Sequence, residues 1–364
     1  MKKLGFGCMR LPLKVKKINS SIDMTKTEEM VDYFINEGFT YFDTAYMYHD
    51  GRSERAVREA LVHRHERQTF ILADKMPVGM LVTKGDTSRI FRHQLKKCGV
   101  EYFDYYLLHA LNAKYLERAE KLGVFEYLAK KKSEGRIKKL GFSFHDSAEV
   151  LDRILTRHPE MEFVQLQINY LDWEDEKVQS RLCYEVARKH GKDIIVMEPV
   201  KGGKLADVPE KVKELFALEH PDWSPASWAV RFCASLQGVI CVLSGMSDMA
   251  QLKDNTGYMK DFEPLTQKET DILKTAAAII KNEETVPCTS CRYCTASCPM
   301  NIAIPEYFTA YNKKLAGEDY KLYLEESAKD KGKASECIGC RKCEEACPQH
   351  IEVVRLLKKC GEIL

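Results

Sequence analysis

Eight of the chain's 14 cysteines fall in two short stretches, "CTSCRYCTASCP" at 288–299 and "CIGCRKCEEACP" at 337–348, and both read C-x2-C-x2-C-x3-C-P. Thiolates at that spacing hold cubane iron–sulfur clusters, and where the pattern occurs twice the fourth cysteine of each copy serves the cluster of the other. The rule predicts one 4Fe-4S cluster on Cys288, Cys291, Cys294 and Cys347, and a second on Cys337, Cys340, Cys343 and Cys298. Three thiolates spaced by two residues wrap three corners of one cube, while Pro299 or Pro348 redirects the chain so that the last cysteine turns away. Structural zinc is the alternative, since C-x2-C pairs also chelate it, but zinc needs neither the full set of cysteines nor the proline. The other six, Cys8, Cys98, Cys183, Cys233, Cys241 and Cys360, share no spacing and read as small apolar packing residues, Cys8 standing apart at the end of the first strand.

A second constellation lies upstream: Asp43 and Tyr48 in "FDTAYMY", Lys75 in "LADKMP" and His109 in "YYLLHA". Singly each has a bland reading, as loop packing, a structural ion pair or a core histidine. Together they suit proton donation to a carbonyl oxygen. A phenol titrates near ~10, so it stays protonated at neutral pH, and it donates well when a nearby cation stabilises its oxyanion. Lys75 supplies that charge, Asp43 positions Lys75, and His109 orients the substrate oxygen. A tuned acid of this kind contributes about 10²–10⁴-fold.

These side chains stand at the ends of short apolar runs that alternate with amphipathic stretches. The runs are 4–9, 39–45, 70–75, 104–110, 139–144, 163–169, 193–199 and 239–245, with helices expected at 25–37, 53–65, 86–98, 122–134, 147–157, 177–190 and 225–235. Eight strands in this length fit an α/β (β/α)8 TIM barrel, whose active site lies at the C-terminal ends of the strands. No G-x-G-x-x-G follows the first strand, which argues against a doubly wound dinucleotide fold. The expected organisation is a barrel over 1–262, a connecting helix within 263–286, opened by Thr266 as N-cap, and a mainly helical ferredoxin-like cluster domain over 287–364.

The chain has 364 residues, 45% apolar and 30% charged, with a formal charge of +2, which gives no field to recruit nucleic acid or an anionic bilayer. Arg10 interrupts the opening apolar stretch before an export signal is complete, and no apolar run reaches the ~20 residues of a membrane span, so a cytoplasmic protein is expected.

Residues 4–260 resemble the aldo-keto reductases, on "LGFGCMRLP", "FDTAYMY", "LADK" and "YLLHA" in that order, and 287–364 resembles the α-helical ferredoxin domains fused to redox enzymes. The first resemblance implies a nicotinamide cofactor, with hydride passing to a carbonyl substrate, or back from an alcohol, while Tyr48 handles the proton. It implies cofactor contacts from Ser143, from Gln165 or Gln167, from Met197 in place of a stacking tyrosine, and from Lys201, Gly202 and Gly203 along the pyrophosphate. After the last strand it implies Gly245, Gln251 and Asn255; the basic pair that grips a 2′-phosphate appears as Gly245 and Gln251, leaving NADP and NAD both open. Phe144 and Met197 depart from the family pattern around the nicotinamide, which also leaves room for a flavin. Hydride carriers deliver electrons in pairs and clusters take them singly, so three roles compete: a carbonyl reductase, an electron-transfer protein with a ferredoxin-like partner, and a redox-sensing binding module.

Overall fold

The computed structural model describes residues 2–15, 21–282 and 285–364. Eight runs rich in aromatic and branched side chains form strands β1 (Leu4–Gly7), β2 (Tyr41–Asp43), β3 (Ile71–Met76), β4 (Phe103–Leu111), β5 (Ile137–Phe144), β6 (Phe163–Gln167), β7 (Asp193–Met197) and β8 (Val239–Ser244). Each pairs in parallel with the next, and β1 pairs with β8 to close the expected barrel. Tyr41, Ala73, Leu107, Phe163, Ile195 and Cys241 fill its interior. The filling is tight, for a Cβ on Gly141 of β5 would sit 2.3 Å from the Phe163 carbonyl oxygen.

Outside the sheet, the helices place their apolar faces on a larger core that includes Phe34, Phe91, Leu128, Ile154 and Trp228. Two differences from the sequence expectation have local causes. The segment before Leu122, expected as loop, forms a helix at Ala113–Lys121 because the Asn112 side chain accepts from the Tyr115 N–H at 2.8 Å, and Gly123 at φ +68° separates it from the next helix, Val124–Ser133. The single helix expected over 53–65 is Ser53–Val57 followed by one π-turn, Arg58–Val62.

The helix Gln267–Lys281 starts at a capping box in which Thr266 and Glu269 satisfy each other's backbone N–H, and its Leu273, Ala276 and Ile280 join the barrel core. The C-terminal region has a separate small core of Ile302, Ile304, Phe308, Tyr311, Val353 and Leu357, carried by helices Ile304–Leu315 and Val353–Ile363. Among the described residues no helix is long and apolar enough to cross a membrane.

Within this region the backbone repeats itself. Left-handed residues recur at matching places around the two cysteine motifs: Ser290 and Gly339 (φ +53° and +69°), Arg292 and Arg341 (+66° and +58°), Asn301 and His350 (+50° and +49°). A short helix follows each pair of turns, Tyr293–Ser297 in one copy and Lys342–Glu345 in the other.

Candidate active site

The barrel mouth brings together the four residues singled out for proton chemistry. Asp43 ends β2, Tyr48 lies in the turn beyond it, Lys75 is on β3 and His109 on β4. The Lys75 ammonium spends its donors on the Asp43 carboxylate, on the Thr44 carbonyl at 2.8 Å and on the Tyr48 hydroxyl at 3.3 Å. Lys75 is 1% exposed and Asp43 2%, so the pair works with little solvent screening. Burial pushes the Tyr48 phenol well above its usual value, and the nearby Asp43 charge adds to this. Tyr48 therefore presents a proton, with Lys75 in place to offset the phenolate that donation leaves. The Asp43 carboxyl is raised by burial against the opposing pull of Lys75.

His109 reaches the mouth through an irregularity in its strand. The β4–β5 register slips between Leu108 and Leu111, and Ala110 adopts φ +55° with its N–H donating to the Ser143 hydroxyl at 2.8 Å. Bulges of this kind re-aim a side chain beside an active site. The His109 ring meets that of Tyr48 edge-on at 6.0 Å between centroids. Burial, then the Lys75 charge, hold His109 well below the usual imidazole range, so the ring is neutral.

The cluster domain sits on this mouth. Tyr293, between Cys291 and Cys294, places its hydroxyl 3.2 Å from His109 Nε2. Gln349, two residues after Cys347, exchanges amide hydrogen bonds with Gln167 at 2.9 and 3.1 Å and accepts from Lys201 Nζ at 3.0 Å. Arg10 donates to the Thr289 carbonyl at 2.7 Å. None of these three partners was singled out in the sequence.

This docking engages several residues named for cofactor contact. Ser143 is taken up by Ala110, and Gln165 leans on Asp43 at 3.4 Å. Gln167 and Lys201 share Asp172 as well as Gln349, both nearly fully buried. Gly202, at φ +66°, runs so close to Thr289 that a Cβ would come within 2.6 Å of its Cα, whereas Gly203 stands open. Met197 ends β7, half-buried. Gly245 lies under the Arg10 side chain, Gln251 accepts from the Ser247 N–H at 2.8 Å, and Asn255 donates to the Gln251 carbonyl at 2.9 Å.

Beside Met197, Glu198 was also passed over. It holds φ +58°, its Oε2 is buried without a hydrogen-bond partner, and burial raises its carboxyl against the pull of Arg10. A positive φ at a non-glycine residue leaves no mark in the sequence pattern. A cavity of about 1010 Å³ lies between barrel and cluster domain, with Tyr48, Arg10, Ser247 and Gln251 on one wall and Cys291 and Tyr293 on the other.

The cysteines gather into two hollows. Cys288, Cys291, Cys294 and Cys347 line the one nearer the barrel, with Phe308, Ile351 and Val353. Cys298, Cys337, Cys340 and Cys343 line the other, with Ile302, Ile338 and Leu357. Four thiolates on one zinc ion at about 2.3 Å would stand about 3.8 Å apart. Among the described residues no three of these sulfurs come within 4.8 Å of one another. The six remaining cysteines are all buried. Cys8 follows β1 in a short turn, its Sγ 3.8 Å from the Phe6 carbonyl, its thiol pushed up by burial.

The family model described as "Aldo/keto reductase family" matches residues 3–278. The chain belongs to the aldo/keto reductase family. A second model, "4Fe-4S dicluster domain", matches residues 287–352, so this aldo/keto reductase is an oxidoreductase barrel followed by an iron–sulfur domain. It is 24% identical over 303 residues to "Uncharacterized oxidoreductase YqkF" of Bacillus subtilis, covering 74% of this chain and 91% of that protein. Among solved structures it is similar to the aldo-keto reductase AKR11C1 of Bacillus halodurans in holo form, at 26% identity and a TM-score of 0.61, covering 75% of this chain and 91% of that one. An aldo-keto reductase from Klebsiella pneumoniae in complex with NADPH shares the fold, at 18% identity and a TM-score of 0.58, covering 78% of this chain and 92% of that one.

Proposed function

We propose that this aldo/keto reductase interconverts a small carbonyl compound and its alcohol at the barrel mouth, that Tyr48 passes the proton, and that each four-cysteine hollow holds one 4Fe-4S cluster. One observation carries the reading: Tyr48 and Cys291 face the same cavity. In the reducing direction Tyr48 gives its proton to the substrate oxygen. Lys75, 3.3 Å away, offsets the phenolate charge, and the Asp43 and Thr44 oxygens keep the ammonium aimed. A nicotinamide nucleotide, NADP or NAD, supplies hydride when bound; Gln251 on the cavity wall, with Ser143, Gln165, Met197, Gly203, Gly245 and Asn255, are the residues proposed to hold it, and Gln167, Lys201 and Gly202 join them only where Gln349 and Thr289 give way. Gln167 and Lys201 already hold a primary amide, that of Gln349, which is the chemistry a nicotinamide carboxamide would need. Bound clusters supply one-electron transfer, exchanged with a ferredoxin-like partner.

A flavin in the cavity is the second reading, favoured by the position of Cys291 on the wall opposite Tyr48, where a converter between paired and single electrons belongs. Anaerobic purification with iron and sulfide analysis separates the two, using absorption spectra before and after adding NADH or NADPH. The proposal expects about eight irons per chain, no flavin band, and nucleotide oxidation that needs an aldehyde and is lost in Tyr48→Phe. A flavin band with bleaching of the clusters by nucleotide alone supports the second reading, and zinc in place of iron overturns both.

A further inference from the structure

The two cysteine motifs superimpose residue for residue in sequence, so positions where they differ mark what each copy does besides holding metal. Tyr293 corresponds to Lys342, and Gln349 to Met300. Lys342 is exposed, while Tyr293 enters the barrel mouth and lines the cavity with Tyr48. The metal motif does not require a tyrosine there, since the other copy does without one.

We propose that Tyr293 is a positioning residue of the active site, supplied by the iron–sulfur domain: its hydroxyl fixes the orientation and tautomer of His109, and through it the alignment of the substrate oxygen against Tyr48. This rests on the carbonyl reading above. A neutral imidazole has one donor and one acceptor nitrogen, and the hydrogen bond on one of them decides where its single proton stays. Nε2 of His109 has Tyr293 as its partner at 3.2 Å, with the rings edge-on at 6.2 Å between centroids, and the edge-on Tyr48 ring closes the other side. Tyr293 also lies two residues after Cys291 and one before Cys294, so the loop that grips metal is the loop that sets this hydroxyl. The barrel's proton site is complete only with the iron–sulfur domain in place.

The test uses the full, cluster-loaded chain purified without oxygen, with benzaldehyde as the probe and NADPH as the hydride source. Tyr293→Phe is expected to lower kcat about 10- to 100-fold with KM changed less than threefold, while iron content and the electron paramagnetic resonance signals of the reduced clusters stay as in the parent. Burial and the Lys75 and His145 charges hold His109 low with or without Tyr293, and Tyr48 faces the same ring, so the acid limb of the pH profile should stay as in the parent while kcat falls. In a His109→Ala background the same substitution should change kcat less than twofold, which a merely structural role would not produce. Tyr293→Lys, copying the other motif, should retain iron and lose turnover equally. Unchanged kcat in Tyr293→Phe, an additive loss on top of His109→Ala, or a rise in kcat that marks Tyr293 as a plug overturns the proposal. If Tyr48→Phe also leaves turnover unchanged, it is the carbonyl reading that has failed.

Discussion

The two halves of the iron–sulfur domain share a backbone and differ in what they face. Around the inner hollow, Thr289 packs on Gly202, Tyr293 meets His109 and Gln349 meets Gln167. Around the outer hollow, the corresponding Ile338, Lys342 and Met300 show no such partners among the described barrel residues, Ile338 is 64% exposed, and Cys340 is exposed as well. The difference teaches that the repeat fixes the turns around the cysteines, while the few side chains free of that duty decide whether a hollow faces the barrel mouth or the surface.

Replacing the proposed proton donor should have the largest effect. Tyr48→Phe should reduce aldehyde turnover by about 10²–10⁴-fold with iron content unchanged, measured as initial rates beside iron analysis. A small loss would mean that the inner half does not serve a proton site at all.

Next come the crossed cysteines. Cys347→Ser, although it lies in the second motif, should empty the hollow beside the barrel, whereas Cys298→Ser should empty the outer one. Iron should fall from about eight to about four atoms in each, but only Cys347→Ser should change the inner cluster's paramagnetic signal. The reverse assignment would break the comparison.

Packing distinguishes the halves more finely. Gly202→Ala meets Thr289 at 2.6 Å and is expected to loosen domain docking, while Gly339→Ala, at a similar φ of +69° with open space around it, should cost only the backbone strain of about 1–2 kcal/mol. Gln349→Met, which copies Met300, leaves the buried Gln167 side-chain oxygen without its donor and should cost about 1–3 kcal/mol, whereas Met300→Gln should be near neutral. Equilibrium denaturation of the loaded protein reads all four.

Acidification should have the smallest effect at first. His109 and His145 are held below their ordinary value of 6.5, the latter at about 4, mainly by burial. Below pH 6.5 the unfolded chain takes up protons that the folded chain refuses, so stability falls with pH, by up to about 1.4 kcal/mol per histidine per pH unit. Substituting either with Asn should flatten the decline in thermal midpoint between pH 6.5 and 5.

The strands were legible because their apolar runs are short and separated by strong helix patterns, and the closure of β1 on β8 followed from their number. Asp43, Tyr48, Lys75 and His109 were legible because barrel strands end where chemistry happens. The helix Ala113–Lys121 was missed although Asn112 is a good N-cap, because its apolar stripe is thin: only Leu116 and Ala119 are buried. Tyr293 and Gln349 were missed for a different reason. Their partners lie 184 and 182 residues away in sequence, and no local pattern encodes docking at that range. Setting "CRYC" against "CRKC" and "CPQ" against "CPM" would have flagged both.

The central claim is that the inner cluster hollow borders, at Cys291, the cavity that Tyr48 lines. Electron paramagnetic resonance of the dithionite-reduced chain, recorded with and without benzyl alcohol in the parent, in Cys298→Ser and in Cys347→Ser, tests it most directly. The alcohol is expected to shift the signal that survives in Cys298→Ser and to leave untouched the one that survives in Cys347→Ser. A shift confined to the signal surviving in Cys347→Ser, or no shift in any of the three proteins, would contradict it.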